Sequence, residues 1–228
     1  MPSHVAIVTG VTSGLGLQLA LRLAANWTVV GVSRHPGVNA ALKELGSQKK
    51  LHHIQGDVGD PDIVRKTFEE ADRRGTVDLV INGAGVGIFG PAGSYSRKDL
   101  DEVLQGNLVG LILFSEAAFN RFRTDGGTLV NIMSTSAQVP RANEAIYCAA
   151  KWGARGYTEA LRLEAKGTPT RVISVFPGGM RTSFWQHTRD TTPDTSKFME
   201  PAEVADVIID VLKVRQRCYV SDIVISRG

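Results

Sequence analysis

Val5-Ala6-Ile7-Val8 runs directly into Thr9-Gly10-Val11-Thr12-Ser13-Gly14-Leu15-Gly16, and then into the apolar-periodic stretch Leu15–Ala25. Consecutive apolar residues read as a strand buried on both faces, and the stretch after the glycines reads as a helix. Glycines at such a junction permit a tight turn, close approach of a pyrophosphate to the backbone, and close helix–strand packing. Free N–H groups at the helix start suit phosphate. The spacing is Gly-x-x-x-Gly-x-Gly rather than Gly-x-Gly-x-x-Gly. The flanking strand and helix are what give such a turn its meaning.

The same alternation continues along the chain. Val5–Val8, Thr28–Val32, Leu51–Ile54, Leu79–Ile81, Thr128–Ile132, Arg171–Val175 and Tyr219–Ile225 read as strands. Leu15–Ala25, Asp62–Arg73, Arg97–Leu104, Leu108–Arg121, Tyr147–Ala165 and Ala202–Leu212 read as helices. Apolar strands separated by helices specify an α/β architecture, a parallel sheet covered on both faces. No linker or repeat interrupts the pattern, so residues 1–228 read as one domain of about seven strands. Only Thr182–Met199 lacks a pattern. With Phe184, Trp185 and Phe198 set in polar sequence, it is expected to form a functional loop.

Composition narrows the class. Hydrophobic residues make up 43% and charged residues 21% of the chain, the balance of a soluble globular protein. The net charge of +3 is spread along the chain and calls for neither nucleic acid nor a membrane as partner. Cys148 and Cys218 are too few for a disulfide framework and suit a reducing compartment. No leader is visible ahead of the first strand, and the apolar run near Leu108–Phe114 falls short of the ~20 residues of a membrane span. The expected location is cytoplasmic.

Chemistry-bearing residues recur where strands end. Ser33-Arg34 closes the second strand without an acid. An arginine there accepts a ribose 2′-phosphate where a carboxylate would bind the 2′-hydroxyl, so NADP(H) is expected over NAD(H). Asp57-Val58 follows the third strand; Asp57 is placed to accept from an adenine amino group or, alternatively, to cap the helix ahead of Pro61. Asn82-Gly83-Ala84-Gly85 follows the fourth, either admitting the adenosine side of the cofactor or forming an ordinary turn. Ser134 and Pro177-Gly178 follow the fifth and sixth. Ligands of open α/β sheets bind beyond the carboxyl ends of the strands, the edge all these residues share.

The reactive pair lies in Tyr147-Cys148-Ala149-Ala150-Lys151. Residues four apart on a helix are surface neighbours, about 5–6 Å between Cβ atoms. A free phenol has a pKa of about 10, and an ammonium beside it is expected to lower that value. A hydroxyl such as Ser134 would hold a carbonyl oxygen while the phenol gives it a proton. That is a site for carbonyl reduction, or for alcohol oxidation in reverse. Cys148 points about 100° away and reads as packing.

These elements, in this order from Thr9 to Thr182, resemble the short-chain dehydrogenase/reductase family of the single-domain type. The resemblance implies a doubly wound, Rossmann-type sheet in order 3-2-1-4-5-6-7, carrying both cofactor and substrate sites. It also implies roles. Tyr147 is the proton donor, Lys151 bonds the nicotinamide ribose and acidifies Tyr147, and Ser134 orients the substrate oxygen. Asn107 holds a water leading from Lys151 to solvent, and Thr182 binds the carboxamide. Gly10, Thr12, Ser13, Gly14, Leu15, Gly16, Ser33, Arg34, Asp57, Val58, Asn82, Gly83, Ala84, Pro177 and Gly178 complete the dinucleotide site. Gly83 stands where the family usually has a second asparagine.

Phe89, Gln138, Val139 and Glu144 are expected at the substrate mouth, with Phe184 and Trp185 as an apolar wall. His187 reads as exposed, and His52 and His53 as strand histidines rather than metal ligands. In the family, the helices Leu108–Arg121 and Tyr147–Ala165 form a dimer interface, so a homodimer is expected, a homotetramer being the alternative. Two other functions stand beside a small-molecule carbonyl reductase. One is reduction of a 3-oxoacyl group on acyl carrier protein, for which Arg121, Arg123 and Arg141 would be the docking patch, although these arginines read first as a solvated basic surface. The other is a non-catalytic dinucleotide-sensing regulator.

Overall fold

The computed structural model describes residues 4–36, 40–188, 193–213 and 218–228. Its seven strands are β1 (His4–Thr9), β2 (Thr28–Ser33), β3 (Leu51–Gln55), β4 (Thr76–Asn82), β5 (Gly127–Ile132), β6 (Thr170–Pro177) and β7 (Asp222–Ile225). All pair in parallel in the order β3-β2-β1-β4-β5-β6-β7. The helices are α1 (Gly14–Leu23), α2 (Ala40–Ser47), α3 (Pro61–Asp72), α4 (Arg97–Leu104), α5 (Gly110–Asp125), α6 (Ala145–Glu164) and α7 (Pro201–Val211).

The central strands bury both their faces, so the core has two layers. On one side Leu15, Leu19, Val204 and Ile208 of α1 and α7 pack with Leu42 of α2 against Ala6, Val8 and Ile81. On the other, Phe68 of α3, Phe114 and Phe122 of α5 and Leu161 of α6 pack against Val5, Ile7 and Leu129. This is the doubly wound arrangement the sequence calls for. Strand order reverses between β1 and β4, and at such a switch point the two neighbouring loops diverge and leave a crevice.

Three features differ from the sequence reading. Helix α2 is absent from it; the helix is short, and only Leu42 of its eight residues is buried. Strand β7 begins at Asp222 rather than Tyr219; Tyr219 and Val220 are exposed. A π-helical turn, Gln105–Val109, joins α4 to α5, making one helix from Arg97 to Asp125. This helix is long and apolar enough to cross a membrane, but its apolar residues Phe114, Ala118 and Phe122 are buried against the sheet. The patternless segment is pinned by β-bridges Phe89–Thr188 and Met180–Met199 around a 3₁₀ turn, Ser183–His187. Residues 189–192 and the side chain of His187 lie outside the described residues.

Candidate active site

The glycine turn after β1 is shaped by contact rather than by sequence convention alone. Gly10 has φ +79°, and a Cβ there would stand 2.9 Å from the carbonyl oxygen of Gly83. At Gly16 a Cβ would overlap the carbonyl of Gly10. Thr9 Oγ1 accepts from the N–H groups of both Gly83 and Ala84 at 3.0 Å, clamping the loops after β1 and β4 together. Ser13 caps α1 without a side-chain hydrogen bond, so the first-turn N–H groups stay available to a ligand.

A cavity of about 810 Å³ runs along this edge of the sheet. At one end stand Arg34 and His35; the middle is formed by Gly10, Ser13, Gly14, Leu15, Gly16, Gly83 and Ala84. The far end has Ser134, Tyr147, Lys151, Pro177, Gly178 and Thr182. Its length of polar backbone, the bare glycines and the free helix start fit a dinucleotide.

The remaining sequence candidates sit off the wall, most for a visible reason. Thr12 belongs to the turn but does not face the cavity. Ser33 Oγ donates to the His35 carbonyl at 2.9 Å and meets His53 Nε2 at 2.7 Å, so its hydroxyl is committed. Asp57 Oδ1 accepts from Gly59 N–H at 2.8 Å, while Asp60, not Asp57, caps α3. Val58 is buried beneath Gly110. Asn82 is buried and donates to Asn131 Oδ1 at 2.8 Å and Ser115 Oγ at 3.0 Å, making it a girder between β4, β5 and α5.

Asn107 occupies the π turn, a helix irregularity that recurs at functional sites. Its Nδ2 donates to the carbonyls of Val86 (2.7 Å) and Val103 (2.9 Å). Its Oδ1 is buried without a protein partner, the kind of orphan acceptor that a water satisfies. Lys151, almost fully buried, donates to the Ile132 carbonyl at 3.2 Å and lies 5.7 Å from the centre of the Tyr147 ring.

The electrostatics depart from the sequence expectation. Burial dominates at Tyr147 and pushes the phenol up, against a hydrogen bond with Ser134 that favours the phenolate. The charges of Glu144 and Cys148 add to that rise. Burial likewise lowers Lys151, to about 8. The physical reason is common to both: removal from water penalises the charged form of each. In this arrangement the pair is held as a protonated phenol beside a readily deprotonated ammonium.

An aromatic wall closes the far end. Phe89 and Phe184 meet the Tyr147 ring edge-on at 5.4 and 5.6 Å between centroids, and Trp185 stacks on Phe89 at 5.3 Å. The indole N–H of Trp185 is used on the Met180 carbonyl at 2.9 Å, and Phe198 packs against its ring. In the sequence Phe198 shows only as an aromatic within the patternless segment. Glu144 lines the cavity and accepts from Ser136 Oγ at 2.7 Å, whereas Val139 is exposed and Gln138 stands off the wall. His52 and His53 bond to Lys49 and Ser33, and no group of three metal-ligating side chains occurs among the described residues.

Comparison with known proteins agrees with this geometry. The family model described as short chain dehydrogenase matches residues 4–193. A sepiapterin reductase of Chlorobaculum tepidum is 27% identical, covering 97% of this chain and 95% of its own. The crystal structure of a short-chain dehydrogenase/reductase from Vibrio parahaemolyticus superposes with a TM-score of 0.84 at 32% identity, covering 98% and 96% of the two chains. That of an actinorhodin polyketide ketoreductase variant with NADPH gives 0.86 at 27% identity, covering 99% and 96%. A doubly wound sheet, a glycine turn at its switch point and a Tyr-x-x-x-Lys helix at the same crevice thus come with a family match over most of the chain, and the chain belongs to the short-chain dehydrogenase/reductase family of oxidoreductases.

Proposed function

We propose that this protein is an NADP(H)-dependent oxidoreductase that interconverts a ketone or aldehyde with an alcohol. The observation that carries the reading is the convergence of Ser134, Tyr147 and Lys151 at one end of the cavity whose other end holds Arg34. When bound, the nicotinamide supplies or accepts the hydride.

The protein supplies the proton. Ser134 Oγ holds the substrate oxygen, and the Tyr147 hydroxyl gives it a proton as negative charge develops there. Burial keeps the phenol protonated, and the Lys151 ammonium, 5.7 Å from the centre of the ring, supplies the positive charge that offsets the phenolate left behind. Asn107 Oδ1 provides the anchor for a water that returns a proton by way of Lys151. In oxidation the same groups run backwards, the phenolate accepting the alcohol proton.

Gly10, Ser13, Gly14, Leu15, Gly16, Gly83 and Ala84 hold the cofactor backbone, and Arg34 takes the 2′-phosphate. Pro177, Gly178 and Thr182, which line the same cavity as Ser134 and Tyr147, hold the nicotinamide end in this reading. The ligand is a small carbonyl compound, and residues 1–228 act as one domain. Trp152 and Leu163, exposed on α6 at 44% and 63%, support pairing of two chains through that helix as a homodimer. NADPH and NADH oxidation across a panel of diketones, quinones, sugars, steroids and acyl thioesters tests the proposal. Turnover with NADPH is expected; a clear preference for NADH, or no turnover with any carbonyl, overturns it.

A further inference from the structure

We propose that Glu102 tunes cofactor choice by competing with the ribose 2′-phosphate for Arg34, an inference that rests on the NADP(H) reading above. Arg34 Nη1 donates to Glu102 Oε1 at 3.0 Å, joining the end of β2 to the last turn of α4 across 68 positions of sequence. Arg34 stands on the cavity wall; Glu102 does not, and reaches the cavity through the guanidinium.

Both ends of this pair are held in place. The Arg34 carbonyl accepts from Gln55 Nε2 at 3.2 Å. Helix α4 is fixed at its start by a capping box between Ser96 and Asp99, and beside Glu102 the side chain of Val103 is completely buried. The carboxylate therefore sits at Arg34 by construction of the fold. The second strand ends without the acid that would mark an NAD site, and Ser33 is committed elsewhere. The acid arrives from across the crevice instead.

The sign of its effect follows from charge. A 2′-phosphate brought to Arg34 carries about two negative charges and either displaces Glu102 or stays close to its carboxylate. Both outcomes disfavour NADPH, and neither touches a neutral 2′-hydroxyl. Arg34 and Glu102 keep side-chain exposures of 44% and 34%, so water and salt screen the competition. The effect is therefore a matter of several-fold rather than of orders of magnitude.

Dissociation constants for NADPH and NADH, measured by calorimetry on the whole protein, test this in the wild type, Glu102→Gln, Arg34→Ala and the double variant. Glu102→Gln is expected to raise the NADH/NADPH ratio of dissociation constants about 3–10-fold at low salt, and less at about 0.5 M salt. In the Arg34→Ala background the same change is expected to gain clearly less, because the competition for the guanidinium is gone and only direct repulsion of the phosphate remains. Glu102→Asp, which keeps the charge but withdraws it by one methylene, is expected to fall between and guards against a folding artefact. An unchanged or lower ratio in Glu102→Gln, or the same gain without Arg34, overturns the role of Glu102. If Arg34→Ala alone leaves NADPH affinity intact, the NADP(H) reading itself fails and takes this inference with it.

Discussion

Asn107 Oδ1 and Lys151 Nζ approach the same point from different helices: a methyl group on Gly85 would stand 2.8 Å from the first and 3.7 Å from the second. The bare Cα of Gly85 thus leaves open the gap between the orphan acceptor of the π turn and the buried ammonium. A family-style glycine turn after β4 acquires in this way a direct bearing on proton supply.

Gly85→Ala closes that gap. The variant is expected to fold with a loss of about 1–3 kcal/mol from overpacking. Its kcat is expected to fall at least tenfold while its dissociation constant for NADPH changes little. Steady-state kinetics and denaturant titration check both; an unchanged kcat counts against the Asn107–Lys151 connection.

Tyr147→Phe removes the proposed acid and keeps the ring that Phe89 and Phe184 pack against. Carbonyl reduction is expected to drop ~10²–10⁴-fold, the usual weight of positioned acid–base catalysis. Retained NADPH binding by fluorescence titration separates loss of chemistry from loss of the site.

The pH profile reports Lys151. Burial lowers it to about 8, so its charge is present below that pH and lost above. Tyr147, pushed up by burial, stays protonated through the same range. The reduction rate at low substrate is expected to fall above about pH 8, and Lys151→Arg, whose charge persists, is expected to remove that limb at lower overall activity. Stability moves the opposite way. Between about 8 and the ordinary 10.5 the unfolded chain binds more protons than the folded one, so stability gains with rising pH. Comparison of melting temperatures with Lys151→Met, which lacks the titrating group, isolates this contribution.

Asn131 ties the layers beneath the site, accepting from Asn82 and donating to Thr158 Oγ1 at 2.9 Å while fully buried. Asn131→Ala leaves both partners short of a bond and opens a small void. A loss of about 2–4 kcal/mol is expected, read as a lower midpoint in urea.

Trp185→Ala breaches the aromatic wall without touching the reactive groups. KM for an apolar ketone is expected to rise more than kcat falls, since the indole shapes the mouth and its N–H is already committed to Met180. A fall in kcat alone would place Trp185 nearer to the chemistry.

Much of this molecule is legible in its sequence because the signals are local. Val5–Val8, the glycine turn and Leu15 onward state a strand, a sharp turn and a helix in one short stretch, and seven such strands specify the covered sheet. The i,i+4 spacing of Tyr147 and Lys151 likewise puts two groups on one helix face whatever surrounds them. What surrounds them is decided only by folding. Ser33, Asp57 and Asn82 carry the right chemistry at the right edge, yet the Ser33 hydroxyl meets His53, one Asp57 oxygen accepts from Gly59, and the Asn82 Nδ2 is used on Asn131, the first and last of these partners being far away in sequence. The upward push on Tyr147, the orphan oxygen of Asn107 in its π turn and the Arg34–Glu102 pair arise for the same reason: burial and long-range contact set the cost of a charge or an unmade bond, and neither is written in the order of residues.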